Sequence, residues 1–275
     1  MPELPEVESI RRQLAPELVG RRIVDVWWDP HPAARISQLE RAPGCAILDV
    51  GRRGKFLLLD LRPVDGTPAR ELVLHLGMSG SLRLTAPDAA HTRAHDRVAI
   101  TLDDNRVLRM RDPRRFGRAS VVAAGEYEPT VPTLARLGPE PLTSAFDVAA
   151  FSSELGRRRA PVKALLLSQT LVAGVGNIYA DECLWRSGIH PAARNVGPRR
   201  ARRLHGHLRE VLQAAIEREG TTFRDHQMVN GASGRYAAFL DVYGRAGLPC
   251  PRCDTILRRS IVGGRTSTWC PRCQH

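Results

Sequence analysis

The sequence predicts a multidomain α+β protein. An N-terminal β-sandwich with flanking helices is followed by a helical domain and a small β-hairpin that carries four cysteines. Three observations predict this order: many short strand-like runs separated by turn formers, a helical period of apolar residues from residue 146, and two Cys-x-x-Cys pairs close to the C-terminus.

The N-terminal region begins with an amphipathic helix near Glu3, because Leu4, Val7, Ile10 and Leu14 recur at helical spacing and Gly20 is a suitable stop. Short runs rich in β-branched and aliphatic residues follow. They predict strands at residues 22–28, 45–50, 56–61, 71–76, 81–84, 97–102, 106–110 and 119–123. Many short strands with turns between them are typical of a sandwich or barrel, which we place at residues 1–128.

Residues 129–145 are rich in proline and predict a linker. Helices are expected at 146–156, 161–171, 177–187 and 198–219, with a glycine-rich break at 174–176, and residues 221–235 are expected to form a polar loop. We therefore place a helical domain at 146–235 and the cysteine module at 236–275.

The charge of the chain is strongly basic. Its 275 residues carry 41 Lys+Arg against 29 Asp+Glu, a net charge of +12, and lysine occurs only at Lys55 and Lys163. This balance favours a polyanionic partner, and arginine suits bidentate phosphate contacts, although a GC-rich genome would produce the same bias. No run is apolar enough to span a membrane and the N-terminus lacks a signal-peptide pattern, so we expect a cytoplasmic, reducing environment.

Four cysteines form two matched pairs, Cys250/Cys253 and Cys270/Cys273. Two such knuckles predict a tetrahedral four-thiolate zinc site, with two strands and a glycine turn between them. Disulfides and a redox pair are the competing interpretations. A module of this size buries little, so the one zinc ion would be structural, and with four protein ligands it leaves no position for a substrate. Cys45 and Cys183 are expected in the core.

Six motifs, taken in order along the chain, carry a resemblance to a known family. They are Met1-Pro-Glu-Leu-Pro-Glu-Val-Glu8, His75-Leu-Gly-Met-Ser-Gly80, Asp112-Pro-Arg-Arg-Phe-Gly117, Leu137-Gly-Pro-Glu-Pro-Leu142, Gly174-Val-Gly-Asn-Ile-Tyr-Ala180 and the cysteine pairs. Together they resemble the formamidopyrimidine-DNA glycosylases over essentially the whole chain.

The resemblance implies a fold and an activity. The helical domain would be a helix–two-turn–helix domain, the cysteine module a zinc finger, and the loop at 221–235 a cap over the lesion. The protein would excise oxidised purines, namely 8-oxoguanine and formamidopyrimidines, from double-stranded DNA and cleave the abasic site by β,δ-elimination. We also expect a monomer that lies in the cytoplasm at the bacterial nucleoid.

The resemblance assigns the chemistry to the N-terminal residues. Such a reaction needs an amine that displaces the base and forms a cationic imine, and Pro2 supplies a secondary amine once Met1 is removed. The positive end of the first helix would disfavour protonation of that amine. Glu3 would transfer a proton to the sugar oxygen, with Glu6 in support. The alternative is a proline and a glutamate that merely start a helix.

Lys55 and Arg265 complete the implied catalytic set, Lys55 in β-elimination and Arg265 in δ-elimination through a phosphate contact. The implied DNA-binding residues are His75, Met78, His95, Arg114, Phe116, Arg158 and Asn177. Met78, Arg114 and Phe116 would fill the gap left by an everted base, although a core position is an alternative for Met78. Arg158 departs from the lysines expected in relatives, so any arginine of 157–159 could make its contact.

Two other functions share these features. A glycosylase for oxidised pyrimidines would have the same fold and catalytic proline, and the Met/Arg/Phe set argues for the purine branch instead. A zinc-ribbon protein that binds DNA without catalysis would explain the charge and the cysteines alone.

Overall fold

The computed structural model describes residues 2–86, 94–221 and 235–275. The protein divides into two compact units, Met1–Ala135 with Glu219–Arg235, and Arg136–Arg218 with Tyr236–His275. The cysteine hairpin therefore groups with the helices. No helix within the described ranges is both long and apolar enough to cross a membrane.

The first unit is a sandwich of two sheets with one long helix, α1 (Leu4–Leu18). Its strands are β1 (Ile23–Trp28), β2 (Arg35–Ser37), β3 (Cys45–Arg53), β4 (Phe56–Pro63), β5 (Arg70–His75), β6 (Ser81–Thr85), β7 (Asp96–Leu102), β8 (Val107–Arg111) and β9 (Arg118–Ala123). One sheet has the order β1-β7-β8-β6 and the other β2-β9-β5-β4-β3. All eight predicted strands are present, and the predicted sandwich is confirmed.

The core of this unit lies between the two sheets and under α1. Val7, Ile10 and Leu14 of the helix join one cluster with buried side chains of both sheets, such as Leu59 and Leu108. Strands β7, β8 and β9 are buried along nearly their whole length, which is why apolar runs in the sequence predict them. Burial of apolar area contributes roughly 25 cal/mol per Å², so this layer is the main source of stability of the unit.

Strand β2 is not predicted from the sequence. It has three residues, pairs in parallel with β9 through Ile36 and Ala119, and is followed by a 3-10 turn at Leu39–Arg41. A strand this short has no alternating pattern to detect, and its position depends on a partner more than eighty residues away.

The short helix α2 (Pro132–Ala135) still belongs to the first unit, and the second unit contains four longer helices. These are α3 (Val148–Arg157), α4 (Val162–Leu167), α5 (Asn177–Ser187) and α6 (Pro198–Glu217). The linker predicted at 129–145 thus contains one helical turn. The expectation that the second helix reaches residue 171 is wrong, because Gln169 adopts a left-handed backbone at φ 64°.

The helices enclose a second apolar cluster, and the hairpin encloses a third. Leu166, Tyr179 and Leu208 are fully buried among the helices. Strands β10 (Arg258–Val262) and β11 (Arg265–Trp269) pair antiparallel, and Trp185 packs beside Cys250 and Cys270. Cys45 and Cys183 are buried free thiols, as predicted. Of the predicted loop at 221–235, only Thr221 and Arg235 lie within the described residues, and they form an antiparallel bridge.

Candidate functional site

The N-terminal turn holds Pro2 and Glu3 in a buried position ahead of α1. Pro2 is buried and Glu3 is 1% exposed. The backbone N–H of Glu3 donates to Oε2 of Glu6 at 2.8 Å. A carboxylate in the first turn also meets the positive end of the helix, which is the favourable placement for negative charge. The turn that carries Pro2 therefore has one fixed geometry.

Glu6 connects this turn to a distant part of the chain. Its Oε1 accepts from the backbone N–H of Thr221 at 2.7 Å and from the Thr221 hydroxyl at 3.0 Å. Gly220 has a φ of +74°, and a Cβ there would lie 2.6 Å from Glu6 Oε1, so only glycine fits. Because Thr221 bridges Arg235, Glu6 anchors the base of the segment predicted to cap the lesion.

Lys55 lies in the tight turn between β3 and β4, where Arg53 pairs with Phe56. Arg52 braces this turn: its Nη1 donates to the Gly54 carbonyl at 2.9 Å, and its Nε donates to Glu8 Oε2 at 3.1 Å. Lys55 itself is 7% exposed. A second carboxylate of the N-terminal motif, Glu8, thus positions the lysine turn.

Glu8 is ionised over the whole physiological range. Burial would raise its pKa, but hydrogen bonds from Arg11 and Arg12 and the charge of Arg52 outweigh burial and lower the pKa to about 2. The brace on the Lys55 turn is therefore a permanent ion pair.

His75 belongs to the same neighbourhood, since it pairs with Phe56 across β4 and β5 and its ring centre lies 4.7 Å from that ring. Nδ1 accepts from the Gly77 N–H at 3.1 Å, so the neutral ring carries its proton on Nε2. Burial, followed by the charge of Lys55, lowers its pKa to about 4. At neutral pH His75 is an uncharged donor beside Lys55.

Two loops of the sandwich are held together by Asp112, which is fully buried. Its Oδ1 accepts from the Ser79 hydroxyl at 2.6 Å, and its Oδ2 accepts from the Gly117 N–H at 2.7 Å. Its own N–H donates to the carbonyl of His95 at 2.9 Å. The carboxylate of Asp112 thereby fixes the loop of Met78 and the loop of Arg114 and Phe116, and its backbone N–H holds His95.

The approach of these loops is close enough to require glycine. A Cβ on Gly77, where φ is +60°, would lie 2.5 Å from the backbone carbon of Phe116. Met78 is 36% exposed and Phe116 43% exposed, and the guanidinium of Arg114 lies 4.7 Å from the centre of the Phe116 ring. The core alternative for Met78 is wrong. Met78, Arg114 and Phe116 are presented to solvent on two adjoining loops.

Asn177 is the first residue of α5, directly after the glycine-rich turn. Gln169 shapes this turn: its side chain accepts from the Gly174 N–H at 2.9 Å and donates to the Val175 carbonyl at 2.6 Å. The Asn177 Oδ1 atom is buried and has no hydrogen-bond partner in the described part of the chain. A helix N-terminus with an adjoining amide is suited to bind a phosphate.

The arginines of the run 157–159 differ in their contacts. Arg158 donates to Thr170 Oγ1 at 2.9 Å and to Glu154 at 3.2 Å, and Arg157 pairs with Glu154 at 3.1 Å. Arg159 is exposed, and among the described residues its guanidinium has no hydrogen bond or ion pair. Its backbone is held, because its carbonyl accepts from Arg194. The residue assigned from the sequence is the one with an internal structural role.

The four cysteines of the hairpin converge on one point, with all Sγ atoms within 4.8 Å of one another. The Sγ of Cys253 lies 3.5 Å from that of Cys270 and 3.4 Å from that of Cys273. A tetrahedron with Zn–S bonds of about 2.3 Å has edges of about 3.8 Å. The set fits one zinc ion, and the Trp185 indole N–H donates to the Cys250 sulfur at 3.4 Å.

Arg265 is the first residue of β11 and pairs with Val262, so the turn consists of Gly263 and Gly264 alone. Both glycines have positive φ, 60° and 70°, as a two-residue hairpin of this kind requires. The side chain of Arg265 is exposed. The turn chemistry thus places a solvent-facing cation beside a tight hairpin.

Comparison with known proteins identifies the chain. The models of the formamidopyrimidine-DNA glycosylase N-terminal domain, of the H2TH domain of the same proteins and of the zinc finger found in FPG and IleRS match residues 1–119, 137–227 and 247–275. The formamidopyrimidine-DNA glycosylase of Stenotrophomonas maltophilia is 47% identical, with 100% of both chains covered. The chain belongs to the formamidopyrimidine-DNA glycosylase family.

Solved structures of this family agree over the full length. The MutM (Fpg) protein of Thermus thermophilus has a TM-score of 0.90 at 44% identity, covering 99% of this chain and 98% of that one. Fpg of Lactococcus lactis, 33% identical with both chains covered completely, has TM-scores of 0.88 bound to DNA with N7-benzyl-Fapy-dG and 0.87 bound to DNA with an oxidised pyrimidine. The predicted family, fold and zinc site are confirmed.

The sequence reasoning missed several residues that support the site in this family member. Asp112 was quoted only as part of a motif, yet an Asp-Pro pair directly after a strand is a signal for a side-chain-capped turn. Arg52 gives no local signal of its role, because its partner Glu8 is 44 residues away in the chain. Gln169 gave no signal, because its role depends on a left-handed backbone that only the fold imposes.

Lys163 was also missed, although it is one of two lysines. It is fully buried, and its Nζ donates to Asp181 Oδ1 at 2.6 Å, to the Thr266 carbonyl at 2.8 Å and to Ser267 Oγ at 2.8 Å. Asp181 Oδ2 accepts from the Thr268 N–H at 2.9 Å. The pair joins α4 and α5 to the strand that begins with Arg265.

Proposed function

We propose that this protein is a bifunctional base-excision repair enzyme. It excises oxidised purines from double-stranded DNA through a Schiff base on Pro2 and then cleaves the strand by β,δ-elimination. The observation that carries the proposal is the buried N-terminal turn, in which Glu6 fixes the backbone of Glu3 next to Pro2. Pre-organisation of a nucleophile beside an acid is what an amine-based glycosylase needs.

The chemistry follows from these groups. After removal of Met1, the Pro2 nitrogen uses its lone pair to attack C1′ of the damaged nucleotide, and the bond from C1′ to the base breaks. Glu3 gives a proton to the ring oxygen as the sugar opens, which leaves an iminium ion. Loss of a C2′ proton then expels the 3′ phosphate, and a second elimination expels the 5′ phosphate.

Lys55 and Arg265 bind the phosphates that leave. The Lys55 turn is braced by the Glu8–Arg52 ion pair, and neutral His75 offers its Nε2 proton beside it. A cation close to a leaving phosphate lowers the barrier because negative charge develops there. Arg265 is exposed on a rigid hairpin and serves the second elimination.

Phosphate contacts away from the reacting nucleotide come from Asn177, His95 and the arginine run. Within this run Arg159 is the better candidate, because Arg158 is engaged by Thr170 and Glu154 whereas the Arg159 guanidinium is exposed. A guanidinium already used inside the protein would have to break those bonds before it could bind DNA.

Met78, Arg114 and Phe116 fill the space left by the everted base. Arg114 meets the unpaired partner base, where cytosine presents two adjacent acceptors to a guanidinium and adenine presents one acceptor beside a donor. A purine lesion opposite cytosine is therefore the preferred substrate. We expect the enzyme to act as a monomer in the cytoplasm, at the nucleoid.

A second candidate substrate is an oxidised pyrimidine, since the Lactococcus lactis relative has been crystallised with DNA that contains one. Single-turnover excision separates the two. Duplexes with 8-oxoguanine, a formamidopyrimidine or an oxidised pyrimidine opposite the cognate base are compared with an undamaged duplex, and Glu3→Gln serves as the inactive control. We expect the purine lesions to be excised fastest. Faster excision of the pyrimidine lesion, or no excision by the parent enzyme, would overturn the proposal.

A further inference from the structure

A wide groove runs between helix α3 and the beginning of α6 in the helical unit, with a volume of about 840 Å³. One wall is made of small residues of α3, namely Ala149, Ser152, Ser153 and Gly156. The other carries Arg199 and Arg202 of α6, and Arg157 stands at the end of α3. None of the residues that line the groove is acidic. The groove is therefore lined by positive charge on one side and by small side chains and serine hydroxyls on the other.

The arginines at the start of α6 have different uses. Arg200 donates to the carbonyls of Gly188 and His275 and so holds the chain terminus. Arg199, Arg202 and Arg203 are exposed, and within residues 2–86, 94–221 and 235–275 their guanidinium groups have no hydrogen bond or ion pair. The fold itself makes no visible use of these three charges.

Their position also costs stability. Helix α6 has no acidic residue in its first turn, and Pro198 is followed by arginines at 199, 200, 202 and 203. Positive charge at the positive end of a helix is unfavourable by about 0.3–1 kcal/mol per residue. The arginines are unfavourable at this end of the helix, and no described contact of Arg199, Arg202 or Arg203 within the protein offsets that cost. This points to a negatively charged partner outside the protein.

The groove adjoins the arginine run described above. Arg157 lines it, although its guanidinium also pairs with Glu154, and Asn195 lines it beside Arg194 in the chain, whose guanidinium donates to the Arg159 carbonyl. Arginines therefore lie in the groove at 157, 199 and 202 and next to it in the chain at 159 and 194. A partner with evenly spaced negative charges along a line fits such an arrangement, which describes a nucleic-acid backbone better than a compact anion.

We propose that this groove binds the phosphate backbone of the duplex that flanks the lesion, as an additional track beyond the residues assigned to the reacting nucleotide. The proposal rests on duplex DNA being the substrate. Arg199 and Arg202 contact phosphates there, and the serines of α3 donate hydrogen bonds. The track strengthens binding without sequence preference and takes no part in the chemical step.

The test measures the salt dependence of binding for the full-length zinc-bound protein. Affinities for undamaged and 8-oxoguanine duplexes are determined between about 50 and 200 mM salt for the parent and for Arg199→Ala/Arg202→Ala. Each lost phosphate contact lowers the slope of log K against log salt by about 0.9, so we expect a decrease of about 2. Single-turnover excision at saturating enzyme stays unchanged, and Arg199→Lys/Arg202→Lys restores most of the slope because it keeps the charge.

Arg62→Ala is the matched control, since Arg62 is an exposed arginine on β4 of the other unit. The proposed track would be overturned if the slope were unchanged in the double alanine variant, or if Arg62→Ala decreased the slope by the same amount per arginine removed. An unchanged slope is also the result expected if the groove binds an acidic protein segment instead of DNA. Failure of the parent to excise any lesion would instead refute the proposed function, and the slope on undamaged duplex would still decide the groove.

Discussion

The two lysines of this chain lie in different units and are buried for different reasons. Lys163 is fully enclosed and donates to a carboxylate, a carbonyl and a hydroxyl. Lys55 is 7% exposed, in a tight turn at the edge of the sandwich beside neutral His75. All the other residues among the 41 Lys+Arg are arginine.

The difference between the two sites shows where the ammonium group of a lysine is needed instead of the guanidinium of an arginine. Three acceptors that surround one point suit a tetrahedral donor, and a planar guanidinium would not fit among them. Lys163 therefore serves the structure and joins the hairpin to the helices. Lys55 lies in a turn that Arg52 and Glu8 brace, where we propose that its charge meets a substrate phosphate.

The largest expected effect is that of removing the zinc ion, which supports the region around Lys163 and not the region around Lys55. Removal of zinc with a strong chelator, or Cys253→Ser, should unfold the hairpin that Lys163 contacts and leave the sandwich around Lys55 folded, because structural zinc contributes about 10–16 kcal/mol to such modules. Hydrogen exchange resolved by peptide measures both regions at once. Loss of protection in the sandwich to the same extent would contradict this separation.

A smaller but still large effect is expected for Lys163→Met. It leaves Asp181 buried without its cation, which costs about 3–5 kcal/mol of unfolding free energy. Chemical denaturation of the zinc-bound protein measures it, and Lys55→Met, which leaves the Lys163–Asp181 pair intact, should cost clearly less. Equal losses in the two variants would mean that the two lysines do not differ in role.

Lys55→Met should instead affect the reaction. Loss of a charged hydrogen bond to a phosphate costs about 1.5–3 kcal/mol, which corresponds to roughly tenfold to a hundredfold in the rate of strand cleavage. Single-turnover assays that separate base release from cleavage measure it, with Lys163→Arg and Lys55→Arg for comparison. The idea fails if Lys55→Met cleaves abasic DNA at the parent rate.

The last of these effects concerns the pH dependence of stability at His75. The pKa of His75 is about 4 in the folded protein and 6.5 in an unperturbed histidine. Between these values the unfolded chain binds the additional proton, so the stability decreases as the pH falls from 6.5 to 4, by at most about 1.4 kcal/mol per pH unit. His75→Gln should flatten this part of the curve relative to the parent, whereas a change at exposed His31 should not. Parallel curves for the parent and His75→Gln would count against a buried neutral imidazole.

Features that depend on local sequence patterns could be predicted, whereas contacts between residues distant in the chain could not. Short apolar runs separated by turn formers predicted eight of the nine strands of the sandwich, and the cysteine spacing predicted a site whose four Sγ atoms converge. The resemblance assigns Met78 and Phe116 to the set of residues that would fill the gap left by an everted base, and the structure brings their loops together. The role of Asp112 in that contact could not be predicted, because its partners Ser79 and Gly117 become neighbours only through the fold.

The contacts of Lys163 and Arg158 could not be predicted from the sequence either, because they too depend on the fold. The sequence assigns no role to Lys163, and nothing local says that one of its partners is a strand more than a hundred residues away. The resemblance assigns DNA binding to Arg158 within a run of three identical residues. The contacts with Thr170 and Glu154 distinguish it from Arg159.

The central claim is that the Pro2 nitrogen forms the covalent intermediate. The direct measurement is borohydride trapping on an 8-oxoguanine duplex, followed by mass spectrometry of the cross-linked peptide. Protein without Met1 should trap, with the adduct on the N-terminal peptide at Pro2. Protein with a verified N-terminal extension should keep its fold and DNA affinity but not trap. Full trapping by the extended protein, or an adduct on Lys55, would contradict the account.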